Sequence, residues 1–326
     1  MEETIFAPKP ADPKGPWDVV IIGSGPAGLT AAIYTTRGAA STLIIGGEKW
    51  GGQLMLTTMV DNFPGFPKGI LGPQLMEETR SQAVRFGAEF VSKNVISIDV
   101  DKKPFEIKTD TDTYLANSLI IATGAETKWL EAPGMDKLIG RGISSCAPCD
   151  APFFKGKKVA VVGGGDSAME EALTLTKYAS EITIIHRSDT FNASAAMQER
   201  VKKEGKIKIL WNTEVSEAKG EQKLESVRIK NNKTGEESDF QIDGLFIAIG
   251  HRPSSLAFQG KVELDDRGYV VAKEGHTKTS IPGVFVSGDV QDTTYKQAVT
   301  AAGFGCMAGM DALKYLTEEE ESKSGK

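Results

Sequence analysis

Short apolar runs, each closed by glycine, recur along this chain. Trp17–Gly23 (WDVVIIG) is apolar apart from Asp18, the pattern of a parallel strand buried on both faces. A glycine-rich turn follows it, and Leu29–Arg37 reads as a helix. Val159–Gly163 opens a second unit of the same kind, with Ala168–Tyr178 as its helix and Ile182–His186 as the next strand. Apolar strands alternating with helices predict an α/β fold with parallel sheets covered on both faces. Ser118–Gly124 and Gly244–Gly250 are two further apolar runs ending in glycine, and a domain crossing is expected just after each. The segment of about 126–252 is then an insertion into a first domain built from both ends of the chain.

Length fits that arrangement, since 326 residues at roughly 150 per domain suggest two domains. The balance of 38 basic against 44 acidic side chains, net −6, disfavours nucleic acid as a partner, because phosphate binding needs clustered Lys and Arg. Glu318–Glu321 reads as a solvated acidic tail. No apolar run approaches the roughly 18 residues of a membrane span. Met1–Trp17 is polar and lacks the apolar core of a signal peptide, so a cytoplasmic location is expected.

Gly23-Ser24-Gly25-Pro26-Ala27-Gly28 fits G-x-G-x-x-G directly between a strand and a helix. The first glycine permits the tight turn, the second lets backbone approach a pyrophosphate, and the third lets helix and strand pack closely. Gly163-Gly164-Gly165-Asp166-Ser167-Ala168 is the G-x-G-x-x-A variant in the same context. Two such loops favour two dinucleotides. Cys146-Ala147-Pro148-Cys149 is a C-x-x-C, suited to cycling between dithiol and disulfide. Its rival is half a zinc site, which needs two more ligands; the candidates Cys306, His186, His251 and His276 are scattered, and no metal is expected. Asp150 suits a general acid for a departing thiolate, with a helix N-cap as the plainer alternative. Gly283–Asp289 is an apolar strand ending in Gly288-Asp289, where ligands bind in open α/β sheets, or else a capped turn. Gly51-Gly52-Gln53-Leu54 is either backbone approaching a ligand or a simple turn. Cys306, in the small-residue stretch Ala301–Ala308, reads as a buried structural thiol.

Taken together, these segments resemble the low-molecular-weight thioredoxin reductases. The likeness runs from Asp18 to about Leu313 and also includes Asp61–Gly65, Ala122–Gly124, Gly163–Ala172 and Gly288–Ala302. The resemblance implies two Rossmann-like domains of three-layer ββα form: 1–125 with 253–326 holding FAD, and 126–252 holding NADPH or NADH and the cysteines. It implies FAD contacts at Ser24, Gly25, Pro26, Ala27, Gly46, Gln53, Asn62, Val95, Ala122, Thr123, Gly124, Asp289, Lys296, Gln297 and Ala298. Nicotinamide-nucleotide contacts are implied at Gly163–Ser167, His186, Arg187, Ser188, Asn192, Ile249 and Gly250. It further implies a homodimer, thioredoxin as the disulfide partner, Cys149 next to the flavin, Cys146 as the attacking thiol, and rotation between the domains. The family's His-Arg-Arg-x-x-x-Arg phosphate site reads here as His186-Arg187-Ser188-Asp189-Thr190-Phe191-Asn192. Losing two arginines weakens the expected grip on NADPH, while no acidic residue favours NADH. Ala151 replaces a usual Gly, and Lys296 a usual Arg. A dithiol oxidase or a reductase fed by another donor therefore stays open beside the reductase reading, and so does a non-enzymatic redox sensor.

Overall fold

The computed structural model describes residues 9–10, 12–273 and 277–324. His276 lies outside the described residues. The chain forms two compact units: one runs up to Glu126 and resumes at Arg252, and the other is Thr127–His251.

In chain order the site-bearing elements begin with β1 (Trp17–Ile22), α1 (Pro26–Arg37), β2 (Thr42–Ile45) and β3 (Thr113–Ile121). The second unit supplies β4 (Lys158–Val162), α2 (Asp166–Leu175), β5 (Glu181–His186) and β6 (Gly244–Ile247). The chain then returns with β7 (Val284–Val286) and α3 (Ala298–Ser324).

In the first unit β1 lies between β2 and β3, all parallel. The nine-residue β3 changes partner along its length. Thr113–Ala116 pairs antiparallel with Phe105–Lys108, whereas Leu119–Ile121 pairs parallel with β7. Alternation along each strand sends side chains to opposite faces. Val19, Ile21, Ile44, Ile120 and Phe285 pack against α1 and α3. Val20, Ile22, Leu43, Leu119 and Val286 pack against the hairpin residues Phe105 and Ile107 and against Phe258. Each such aliphatic side chain contributes roughly 1.5–3 kcal/mol on burial.

The second unit repeats the plan. Its parallel sheet runs in the order Ile143–Ser144, β6, β4, β5, Ile207–Trp211. Val159, Val161, Ile182 and Ile184 face Ala168, Met169 and Ala172 of α2. Ala160, Val162, Leu245 and Ile247 face Val215 and Val227 of an antiparallel meander. Each sheet is thus one layer of three, with helices on one face and antiparallel strands on the other, the architecture expected of the sequence.

Some boundaries differ from the sequence reading. Both glycine-loop helices start earlier, at Pro26 and Asp166, because Gly25 and Gly165 take the N-cap position. The acidic run Glu318–Glu321 is no tail: it is the end of the 27-residue α3. There Glu319 pairs with Lys103 at 3.2 Å and Glu318 with Lys314 at 3.9 Å, contacts that a count of charges could not foresee. Cys306 is half-buried on α3 rather than buried.

Candidate active site

The first glycine loop is shaped by what a side chain would strike. Gly23 has φ +111°, and a Cβ there would collide with the Ala122 carbonyl oxygen; at Gly28 it would collide with the Gly23 carbonyl oxygen. At Gly25 a Cβ would meet nothing within 4 Å, so backbone opens onto free space at the N-terminus of α1. Gly52 (φ +69°) faces it, its Cβ position 3.5 Å from the Gly25 Cα. Ser24 is buried, and its hydroxyl holds neighbouring segments together: it donates to the Gly46 carbonyl at 2.7 Å and accepts the Gly51 amide at 2.9 Å. Pro26 opens α1, and Gly288 packs where a Cβ would lie 2.7 Å from the Ala27 Cβ.

Just after β7, Asp289 has its Oδ1 shielded from solvent and without a hydrogen-bond partner among the described residues. Burial pushes its carboxyl up to about 6, with repulsion from Asp292 adding and Lys296 opposing. A buried acceptor left unpaired is costly, and a ligand hydroxyl is the natural donor for it. This orphan oxygen and the open face at Gly25 fit a bound dinucleotide. Lys296 sits at φ +48°, its backbone N–H donating to Asp292 Oδ2 at 2.8 Å. Asp292 also accepts the Thr294 and Tyr295 amides, each at 2.8 Å, and so shapes the loop before α3. Sequence reading missed it, although Asp-Thr-Thr is an Asx-turn signature. Gln297 accepts a hydrogen bond from Asn62 at 3.2 Å, and Ala298 begins α3. The Ala122 amide bonds the Ile22 carbonyl at 2.8 Å, Thr123 donates to Ser254 at 2.7 Å, and Gly124 accepts the Ser254 amide at 3.0 Å. Gln53 is exposed on a short turn, Gly52–Leu56. Val95 instead opens the outer hairpin strand and packs with the core on that face.

In the second unit Cys146 and Cys149 form a disulfide with Cα atoms 5.3 Å apart. Cys146 is the N-cap of a one-turn helix, Ala147–Asp150, that contains Cys149, and the Cys149 and Asp150 amides return to the Cys146 carbonyl at 3.2 and 3.1 Å. The Cys146 amide is held by Ser144 Oγ at 3.1 Å. Asp150 makes no capping bond to the following turn; its carboxyl is hydrogen-bonded with Ser144, and burial raises its proton affinity. That suits an acid more than an N-cap. Glu171, on α2, accepts the Ala147 amide. It was quoted within a sequence signature but given no role there. Among the described residues no group of three or more His, Cys, Asp or Glu is placed to hold a metal.

The second glycine loop is open at Gly165, where a Cβ would meet nothing within 4 Å. Gly163 passes under the Ala248 carbonyl, and Gly164 lies against the His186 ring. The Gly164 carbonyl accepts the Asn192 and Ala193 amides at 2.8 and 3.0 Å, and Asp166 accepts the Ser194 amide at 2.7 Å. His186 is buried, paired through Nε2 with the Thr190 carbonyl at 2.9 Å and packed against Phe191 and Trp211. Its ring therefore backs the loop at Gly164. Ser167, Arg187, Ser188 and Asn192 are exposed around it, and Asp189 pairs with Lys233 at 2.9 Å. Beyond β6, Ile249 is exposed and Gly250 takes φ +98°.

Two dinucleotide loops and a C-x-x-C disulfide define a class, and comparison agrees. The model of the pyridine nucleotide-disulphide oxidoreductase family matches residues 17–305. A thioredoxin reductase of Streptomyces coelicolor is 49% identical over 317 residues, covering 95% of this chain and 98% of its own. The solved thioredoxin reductase of Streptococcus pyogenes superposes with TM-score 0.89 at 37% identity, covering 93% of this chain and 98% of that one. That of Giardia duodenalis gives 0.89 at 42% identity, covering 92% and 99%. The chain belongs to the pyridine nucleotide-disulphide oxidoreductases and, within them, to the thioredoxin reductases. It is an oxidoreductase acting on a disulfide, in a family that uses a flavin and a pyridine nucleotide. No helix among the described residues is long and apolar enough to cross a membrane.

Proposed function

We propose that this enzyme reduces the disulfide of thioredoxin, with FAD held by the first unit and NADPH or NADH by the second. The carrying observation is the Cys146–Cys149 disulfide, set between Ser144 and Asp150, whose carboxyl burial pushes above its ordinary value, in a chain with two dinucleotide loops. Gly23–Gly28, Gly46, Gly51, Gly52, Asn62, Gly288, Asp289 and Gln297 would hold the flavin nucleotide. Gly163–Ser167, Arg187, Ser188 and Asn192 would hold the other. When bound, the two groups supply the electron pair that the cycle consumes.

The chain's own part is thiol chemistry. Two electrons break the Cys146–Cys149 bond and leave two thiolates, one of which takes a proton from Asp150. The Cys146 thiolate attacks one sulfur of the substrate disulfide, forming a mixed disulfide and expelling one substrate thiolate. Cys149 then attacks Cys146, re-forming the internal bond and releasing the second substrate thiolate. Asp150, re-protonated from solvent, is ready for the next turnover. A homodimer working in the cytoplasm, where thiols are kept reduced, completes this reading.

Exposed Ser188 and Asn192 support a second reading of the donor: with Arg187 kept of the three arginines usual in this motif, NADPH loses its usual advantage over NADH or another reductant. Thioredoxin and DTNB reduction with each nucleotide, alongside anaerobic bleaching of the bound flavin, tests both readings. Reduction by at least one nucleotide is expected; bleaching by neither would overturn the reductase reading. Oxygen uptake with small dithiols would then point to an oxidase.

A further inference from the structure

A half-buried carboxyl that the thiol cycle leaves unused lies against the redox turn. Glu171 projects from the middle of α2, and its Oε2 accepts the amide of Ala147, the residue directly after Cys146. Ala147 is fully buried, packed with Ala151, Ala168 and Met169 in the core beneath the turn. The first amides of the turn therefore end on two different acceptors: Cys146 on Ser144, which also meets Asp150, and Ala147 on Glu171. A carboxylate accepting a buried backbone N–H is a strong anchor when ionised and a weaker one when protonated.

We propose that Glu171 is a positioning residue for the redox pair, gripping the turn through the Ala147 amide and taking up a proton when the pair is reduced. This rests on the redox reading of Cys146 and Cys149. Burial pushes the Glu171 carboxyl up to about 7, against the hydrogen bond from Ala147, with repulsion from Asp150 on the turn and from Glu170 on its own helix adding to it. The strands behind α2 present the uncharged Val159, Val161, Ile182 and Ile184; the helix Ala195–Lys203 beside it carries Arg200, Lys202 and Lys203, but the charges that bear on Glu171 are those of Asp150 and Glu170. A carboxyl poised near neutrality responds to a new charge beside it. Reduction adds two electrons; the S–S bond breaks, one sulfur becomes a thiol, the other stays a thiolate, and Glu171 holds the second proton. The overall change is disulfide plus two electrons plus two protons, and it balances.

Glu171→Gln separates the two halves of this role, because the amide oxygen still accepts from Ala147 but does not titrate. The full-length protein is equilibrated in dithiothreitol redox buffers across pH 5.5–8.5, and thiols are counted with a maleimide; Cys306 contributes a constant background. In wild type the pair's midpoint should fall more steeply with pH around neutrality than in Glu171→Gln. The apparent acidity of the more reactive thiol should shift by about one pH unit towards lower pH in the variant, as a neighbouring negative charge is removed. Profiles that coincide in the two proteins overturn the proposal. If Glu171→Gln does not fold, the reduced-minus-oxidised infrared spectrum of Asp150→Asn decides: a protonated carboxyl band gained at pH 7 supports it, and none overturns it. If wild type shows only the Cys306 label at every potential, the redox reading itself fails and this inference with it.

Discussion

At the third small position of its loop the first unit has Gly28 and the second has Ala168. A Cβ at residue 28 would run into the Gly23 carbonyl, whereas the Ala168 Cβ is accommodated. The reason lies on the far side of the helices. α1 is pressed from behind by α3, where Gly305 abuts the Ala27 carbonyl and a Cβ on Gly309 would lie 3.0 Å from the Ala31 carbonyl oxygen. α2 packs instead against its sheet, the short helix Ala195–Lys203 and the redox turn. The polar groups differ in the same sense. The first cradle holds a buried, unpaired Asp289 oxygen, while the second is rimmed by exposed Arg187, Ser188 and Asn192. One loop suits a ligand that stays, the other a ligand that comes and goes.

Cys149→Ser cuts deepest. Protein-disulfide reduction in a coupled assay should fall by more than about 10³-fold, as expected when a nucleophilic unit is broken. Anaerobic flavin bleaching by the nucleotide should persist, which separates the work of the two loops. Next, Ser188→Arg with Asn192→Arg should raise kcat/KM for NADPH by roughly 10- to 100-fold while leaving NADH nearly unchanged, since each charge-assisted contact is worth about 1.5–3 kcal/mol. An equal gain for both nucleotides would show that this rim does not read the phosphate.

Asp289→Asn sharpens the contrast in two directions. Flavin affinity should drop by about 10-fold or more on losing a charged acceptor. The flavin-free protein should become more stable. Asp289 binds its proton more tightly folded than unfolded, so its penalty is absent below about pH 4 and grows as pH rises through about 6. At most about 3 kcal/mol is involved, so the stability gain in urea melts should appear at pH 7.5 and vanish at pH 4. Gly28→Ala should cost about 1–3 kcal/mol by overpacking, and the smallest effect is Ala168→Gly, at about 1 kcal/mol or less.

Much of this was legible in the sequence because the decisive features are local. Apolar runs closed by glycine located β1, β4 and β6, and the glycine loops placed a helix after β1 and after β4, though each begins two or three residues earlier than the apolar pattern suggests. Spacing alone also marked Cys146 and Cys149. What stayed hidden depends on distant residues. Glu171 is 24 residues from the amide it holds, and only the packing of α2 brings them together. The Ser24 hydroxyl ties the Gly46 carbonyl to the Gly51 amide, 22 and 27 residues away, a link that no local pattern marks. The acidic end of α3 looked like a tail because the pairing of Glu319 with Lys103 spans most of the chain.

The partner change along β3 bears on how the molecule is made. Its second half needs β7 beside it, and α1 needs α3, yet both arrive only after the whole second unit has left the ribosome. The second unit is continuous and can close as soon as it emerges. The first must wait, with Leu119–Ile121 unpaired on one edge, until the C-terminal segment is translated. Early nascent chains should therefore depend on chaperones to cover that strand.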